Sequence, residues 1–529
     1  MSTTTDARPV SRYRRTAQWI RSNRVRVTVF AVLLFLFITA LQGLDTEDWF
    51  ITVMRGLSVG AITFLVASGL SLIFGLMDVL NLAHGELFMI GAYVGWSAYV
   101  RPDTVVDVLV PLLLLASPFL VTPLWRRVAG TIPAAGRART LLGWGVIAAG
   151  VVIIVLMITR FPLVIWDPQV YAESPITYSL ALDLGTLTPL DQPPFDGPAV
   201  LAIVGLLVGG AVMAVGGTML RERPGLGLAP SRAQWVSAGV VLALGLALFA
   251  GNTALTDWLF GLSTTMRFFV AMGVAVVLGV AVGIVVEIVL IRPLYDRPIY
   301  QLMITLGLGF ILIEVVREIW GRPEFTMPKP AAFNGTGEGC PGTGVGGLFG
   351  GCSTVEIFGG RLRTYNEAFI VLVGVVVLVG INLLLKRTRI GVIIRAGVQD
   401  PEMVQALGIN VRRVFTMVFA IGAGLAALGG VIAAPSIGLS PEMGGRLLLL
   451  AIIALAVGGL TSFSGAAAGA VLVGLLQQFI IRYGQTGISL PFLDEPFKPS
   501  PPLVPASTVM LMVIILLILP NGLFGRSDR

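Results

Sequence analysis

The chain has 529 residues, 56% of them hydrophobic and only 12% charged, where soluble globular proteins carry about 25% charged residues. A water-soluble fold of this size would need a far more polar surface, so lipid must cover much of this one. The formal net charge is +7, and because the basic residues gather in short loops it reads as a topology signal and not as a nucleic-acid footprint.

In chain order, the apolar runs are continuous and about 20 residues long, the length of a membrane-spanning helix. A membrane barrel would instead show alternating segments of about 10 residues. The expected fold is all-α, a polytopic integral membrane protein with about fourteen transmembrane helices. The first run, 27–43, follows a basic tail containing Arg8, Arg12, Arg14, Arg15, Arg21, Arg24 and Arg26. No small-residue cleavage site precedes Asp45, so the run is expected to be a retained helix. Runs at 52–73 and 86–100 follow, then four at 105–124, 141–159, 198–219 and 233–251. The remaining runs are 267–290, 300–319, 367–385, 413–434, 446–460, 465–482 and 504–520.

The loops between these runs alternate in charge. On one side lie the basic tail, Arg126, Arg127, Arg137 and Arg139 in 125–140, Arg221, Arg223 and Arg232 in 220–232, and the Arg-rich loop 386–412. The other side holds Asp45, Glu47 and Asp48, and the acidic segment 160–197. By the positive-inside rule both termini are expected in the cytoplasm. A second long external segment, 321–366, is rich in Gly and Pro and contains Cys340 and Cys352. On the oxidising face these two can form a disulfide, and two free thiols fit the sequence equally well. With one His and two Cys in all, the chain lacks the residues for a His/Cys metal cluster, and no metal or cofactor is expected.

Polar residues inside apolar runs are candidate sites. The densest cluster is Asp78, Asn81, His84 and Glu86, between Gly75 and Gly85. One reading is a broken or re-entrant segment lining a translocation path or gate, with Asn81, His84 and Glu86 as its polar groups. The other is an ordinary turn in which Asp78 or Asn81 caps the next helix. No nucleophile and orienting third group accompany His84, so the cluster is not read as catalytic and no enzyme activity is expected.

The second cluster lies in the Arg-rich loop. Asp400 suits an N-cap, Pro401 the first helical position and Gly408 the residue after the helix. Met403, Val404 and Leu407 between them fall on one face of a two-turn helix. That face needs a surface to dock on, either a partner protein or the chain's own bundle. Small residues four apart, Gly422, Ala426 and Gly430, and Gly465 and Gly469, are expected to mark close helix packing. No lysine stands in a GxxxxGK[ST] loop, so any ATP-driven step needs another subunit.

Five stretches occur in an order known from one family: GLSLIFGLMDVLNLAHGELFMIGAY (69–93), EIVLIRPLYDRP (287–298), RTRIGVIIRAGVQDPEMVQALGINVRRV (387–414), GLSPEMGGRLLLLAIIALAVGGLTSFSGAAAGA (438–470) and LPNGLFGR (519–526). With the apolar runs between them they cover about 45–99 and 267–529, and on them the chain resembles the permease subunits of branched-chain amino acid ABC importers, close to urea and short-amide permeases. The resemblance implies an importer permease for branched-chain or other neutral amino acids in the cell membrane. It also implies a second permease subunit, two cytoplasmic ATP-binding subunits, and an extracytoplasmic solute-binding protein, beside the surrounding membrane lipid. The loop 387–414 would be the coupling loop, with Asp400, Pro401, Glu402, Met403, Leu407 and Gly408 in its helix. Urea or a short amide is the alternative substrate. An ion-coupled secondary transporter is the alternative mechanism, with Glu287 and Glu314 as its candidate acids. The chain departs from the family by an N-terminal tail and helix (1–44) and by an insertion (101–265) that divides the permease core into 45–100 and 266–529.

Overall fold

A computed structural model of the chain describes residues 28, 45–134, 136–162, 166–191, 196–221, 229–399, 401–460, 462–488 and 495–525. The expected first span at 27–43 (Thr28 apart), the basic tail, residues 222–228 and Asp400 lie outside them. The helices used below are, in chain order, α1 (Thr46–Met77), α2 (His84–Val100), α3 (Pro102–Phe119), α4 (Gly136–Ile158), α5 (Gly197–Arg221), α6 (Arg232–Ala250), α7 (Thr264–Val286) and α8 (Pro298–Trp320). They continue with α9 (Ile370–Arg387), α10 (Arg389–Gln399), α11 (Pro401–Ala406), α12 (Val411–Ile437), α13 (Met443–Gly458), α14 (Phe463–Thr486) and α15 (Leu503–Ile518).

The protein is a polytopic all-α membrane protein. Among the described residues ten helices are long and apolar enough to cross a bilayer: α1, α3 to α9, α12 and α14. The expected runs 86–100, 446–460 and 504–520 fall on the shorter helices α2, α13 and α15, of 17, 16 and 16 residues. Helix ends follow local chemistry. Ser231 and Gln234 form a capping box at α6, and Asn410 and Ser462 cap α12 and α14 by accepting from Arg413 and Gly465 N–H.

The described structure divides into two compact units, one of residues up to Gly95 and from Met272 onward, the other Trp96–Ala271. In the first unit, α1 packs along α12 and α14 through glycines. A Cβ on Gly422 would sit 2.9 Å from Gly69 O, and one on Gly430 only 2.0 Å from Phe88 O. Gly465 and Gly469 likewise face Gly458 O and Ala454 O at 2.4 and 2.0 Å. The stripes of small residues are therefore places where backbones touch.

The segment 321–366 of this unit carries a small sheet, β1 (Gly342–Thr343), β2 (Thr354–Ile357) and β3 (Gly360–Arg363). β1 pairs parallel to β2, and β2 antiparallel to β3 with Val355 opposite Leu362. Cys340 and Cys352 are joined in a disulfide beside it, with their Cα atoms 5.5 Å apart. In solubilised, unreduced protein a maleimide is expected to label neither cysteine, and reductant to release both. Labelling before reduction would show the bond to be absent.

In the second unit, α5 packs along α4, with Gly209 and Gly216 against Ile154 and Ile147. The acidic segment contributes short helices at Gln169–Glu173 and Pro175–Asp183. A buried ion pair pins its end: Arg101 contacts Asp103 at 2.6 Å and donates to Thr188 O, while Asp103 accepts from Leu190 N–H.

Candidate functional site

The first cluster forms where α1 stops. Asp78 takes the left-handed conformation (φ 52°), and its N–H closes the helix on Phe74 O at 3.0 Å. Aspartate tolerates this backbone better than most residues. No helix resumes until His84. Val79 is buried against Ile73, Val286, Ile291 and Phe419, which anchors the break in the bundle.

The break is secured by polar side chains. Asn81 Oδ1 accepts from Ala83 N–H at 3.0 Å, and Asn81 O from His84 N–H at 3.3 Å. Thr305 Oγ1 of α8 accepts from Leu82 N–H at 3.2 Å and itself donates to Gln301 O. His84 Nε2 lies 3.2 Å from Val66 O. A carbonyl can only accept, so Nε2 carries the proton. Val66 lies well inside α1, about 16 Å of helix before its end at Met77. Six extended residues reach at most about 20 Å, so 78–83 can carry the chain back up beside α1 before α2 begins. The segment is re-entrant in this sense: α2 starts alongside the middle of α1.

The three named residues come together in this break. Asn81 and His84 are fully buried and Glu86 is 6% exposed. Asn81 Nδ2, His84 Nδ1 and Glu86 Oε2 each lack a hydrogen-bond partner among the described residues. Most buried polar atoms are satisfied, so three unsatisfied ones within six residues mark this segment, as Tyr99 Oη, Arg101 Nε and Thr104 Oγ1 mark a stretch of the second unit. Gly309 of α8 leaves room beside the carboxylate: a Cβ there would lie 3.7 Å from Glu86 Oε2. Among the described residues no group of three His, Cys, Asp or Glu is placed to hold a metal ion. The arrangement offers a donor and two acceptors to a solute or to water in an otherwise apolar bundle.

The second cluster forms two short helices, α10 and α11. Ile394 of α10 is buried among Leu72, Ile381, Val414 and Val418, tying the segment to the first unit's bundle. α11 ends as its sequence predicts. Gly408 has φ +80°, its N–H bonds Gln405 O, and Ile409 N–H bonds Val404 O, the paired closure of a Schellman motif. Asp400 lies outside the described residues, and Pro401 and Glu402 open α11. The expected single apolar face is divided. Val404 is 3% exposed, whereas Met403 and Leu407 are 63% and 73% exposed. Val404 is the buried residue of this face, and Met403 and Leu407 are mostly exposed.

The acids weighed for ion coupling are both engaged. Glu287 accepts from Arg292 at 2.7 Å, from Tyr295 Oη at 2.5 Å and from Thr416 Oγ1 at 2.9 Å. Glu314 pairs with Arg317, which also reaches Glu442. The sequence reading missed Thr305 and Thr416, although a threonine inside the 300–319 run was visible as a polar interruption.

A family model described as "Branched-chain amino acid transport system / permease component" matches residues 231–520. The high-affinity branched-chain amino acid transport system permease protein LivH of Escherichia coli (strain K12) is 26% identical over 259 residues, 48% of this chain and 73% of that protein. The corresponding protein BraD of Pseudomonas aeruginosa is 25% identical over 270 residues, 50% of this chain and 77% of its own length. The fructose import permease protein FruF of Bifidobacterium longum is 31% identical over 131 residues, 23% of this chain and 36% of that protein. No solved structure matches the chain.

Proposed function

This chain belongs to the family of branched-chain amino acid transport permease components, and from that premise we propose how it works as the membrane subunit of an importer. It is a multi-pass protein of the cell membrane and a permease subunit of an ABC importer. Permeases of this kind work with ATPase and binding-protein components. In our reading this one pairs with a second permease subunit, docks two ATP-binding subunits through α10 and α11, and receives a branched-chain or other neutral amino acid from a solute-binding protein. It is not itself an enzyme. Both termini face the cytoplasm, with about fourteen spans in all, as the alternating loop charges support.

The observation that carries this reading is α11. It is a capped helix on an Arg-rich loop, held by Val404 and presenting Met403 and Leu407 outward, within the stretch that the family model matches. ATPase closure pushing on α10 and α11 is passed through Ile394 to the ends of α9 and α12. The broken segment at Asn81, His84 and Glu86 then lines the path that this motion opens and shuts. The residues 101–265 form an insert whose four spans keep the later helices in register with the membrane, a reading supported by the compact unit Trp96–Ala271.

Transport is expected to require ATP hydrolysis. Liposomes carrying the assembled importer, with ATP inside and L-leucine and binding protein outside, should accumulate leucine, and a non-hydrolysable analogue should stop this. Full uptake by the chain alone under an ion gradient would instead establish the secondary-transporter mechanism.

A further inference from the structure

The first unit has a cavity of about 380 Å³ between 324–327 on one side and 434–440 with the start of α13 on the other. Backbone bonds in both directions between Phe325 and Leu439, at 3.0 and 2.8 Å, fasten the two walls. The size lies within the range of about 300–1,000 Å³ usual for small-molecule sites.

Its lining is chemically specific. Most of the lining is polar, Phe325, Met327 and Leu439 being buried behind it, and the apolar side chain it exposes is Ile437. The rim holds one acid, Glu324, and one base, Arg446. Among the described residues neither takes part in an ion pair, and Arg446 makes only a long contact of 3.4 Å with Ser440 Oγ. The neighbouring acids differ, since Glu314 and Glu442 are both taken up by Arg317 at 2.6 and 2.9 Å. An unpaired guanidinium is suited to grip a carboxylate in two places, and an unpaired carboxylate to hold an ammonium.

The helix that carries Arg446, α13, also packs on the start of α2. Gly444, two residues before Arg446 on α13, packs on the start of α2. A Cβ there would lie 2.6 Å from Gly85 O and 3.1 Å from Glu86 N. Residues two apart lie on opposite sides of a helix, so Arg446 turns away from this contact and toward the cavity.

We propose that this cavity is a transit site for a zwitterionic aliphatic amino acid, with Arg446 holding the carboxylate, Glu324 the ammonium, and Ile437 the side chain. The proposal rests on the importer reading above and deepens it. Urea, short amides and fructose carry no charges to match the rim, so the site separates amino acids from these other solutes.

The test places a cysteine on the cavity wall, Thr326→Cys, in the assembled importer, and follows its reaction with a membrane-impermeant methanethiosulfonate. L-Leucine is expected to slow labelling at least threefold. 4-Methylpentanoate, which lacks the ammonium, and isoamylamine, which lacks the carboxylate, should not slow it, and neither should urea. Adding Arg446→Gln or Glu324→Gln should abolish protection. In uptake assays with saturating binding protein, the same two single variants should raise KM for leucine about tenfold, with the ATPase still recovered alongside the chain. Labelling rates indifferent to leucine, or an unchanged KM in both variants, overturn the site. If the parent importer accumulates leucine in that same experiment, only the cavity assignment has failed. If it accumulates none, the importer reading has failed with it.

Discussion

Replacing Met403 and Leu407 together by aspartate is expected to abolish both recovery of the ATPase with the chain and uptake of substrate, while the chain itself still folds and inserts. Both side chains are more than half exposed, and substitutions at such positions usually change stability by no more than about 0.5 kcal/mol. If they are the anchors of a docked ATPase, each loss costs about 2 kcal/mol or more of binding, roughly thirtyfold in affinity. A charge placed in the docking groove adds its own desolvation penalty. Val404→Asp should behave differently. Val404 is buried and closes α11 through its carbonyl to Ile409, so a carboxylate there should lower the amount of folded chain before any question of docking arises. Glu402→Arg with Leu407→Asp tests the same loop by changing its charge. Unchanged ATPase recovery and uptake in the Met403 and Leu407 double variant would sink the coupling role.

The division of the α11 face shows where the sequence is readable and where it stops. Pro401 and Gly408 announce the ends of the helix because their backbone preferences are intrinsic to the residue. Which of Met403, Val404 and Leu407 turns inward depends on how α11 packs against α10 and α12, which no single residue announces. The apolar runs could be read because the bilayer demands their length. The re-entrant course of 78–83 could be suspected from the cluster of polar residues, yet its depth depends on His84 meeting Val66 O and Leu82 meeting Thr305, contacts 18 and 223 residues apart in sequence. The small sheet in 321–366 was hidden by glycine, which signals turns and says little about the four-residue strands between them. The cavity rim was invisible for a similar reason. Glu324 and Arg446 are ordinary loop and helix-start charges until the pairing of Phe325 with Leu439 brings their segments together.

The last expected result concerns Glu86. Glu86→Gln changes one oxygen to an amide nitrogen and keeps the shape, so the packing of α2 against α13 through Gly85 and Gly444 is preserved. If Glu86 only shapes the bundle, this variant should assemble and transport like the parent. If the carboxylate lines the path, its unpartnered Oε2 is what a passing ammonium or water meets, and an amide offers at most a neutral carbonyl oxygen in place of the charged acceptor. Losing one charge-assisted hydrogen bond costs about 1.5–3 kcal/mol, so uptake should fall at least about tenfold while the ATPase is still recovered with the chain. His84→Gln adds a second check. The amide can still donate to Val66 O but no longer offers the imidazole acceptor at Nδ1, so it should lower uptake more than assembly. A control fixes the opposite extreme: Gly69→Val would drive a side chain into Gly422 O and the His84 ring, where even a Cβ comes within 2.4 and 2.8 Å, and should cost assembly outright. The path assignment stands on the contrast between these outcomes. Glu86→Gln transporting at the parental rate would reduce the broken segment to architecture, and Glu86→Gln failing to assemble would do the same.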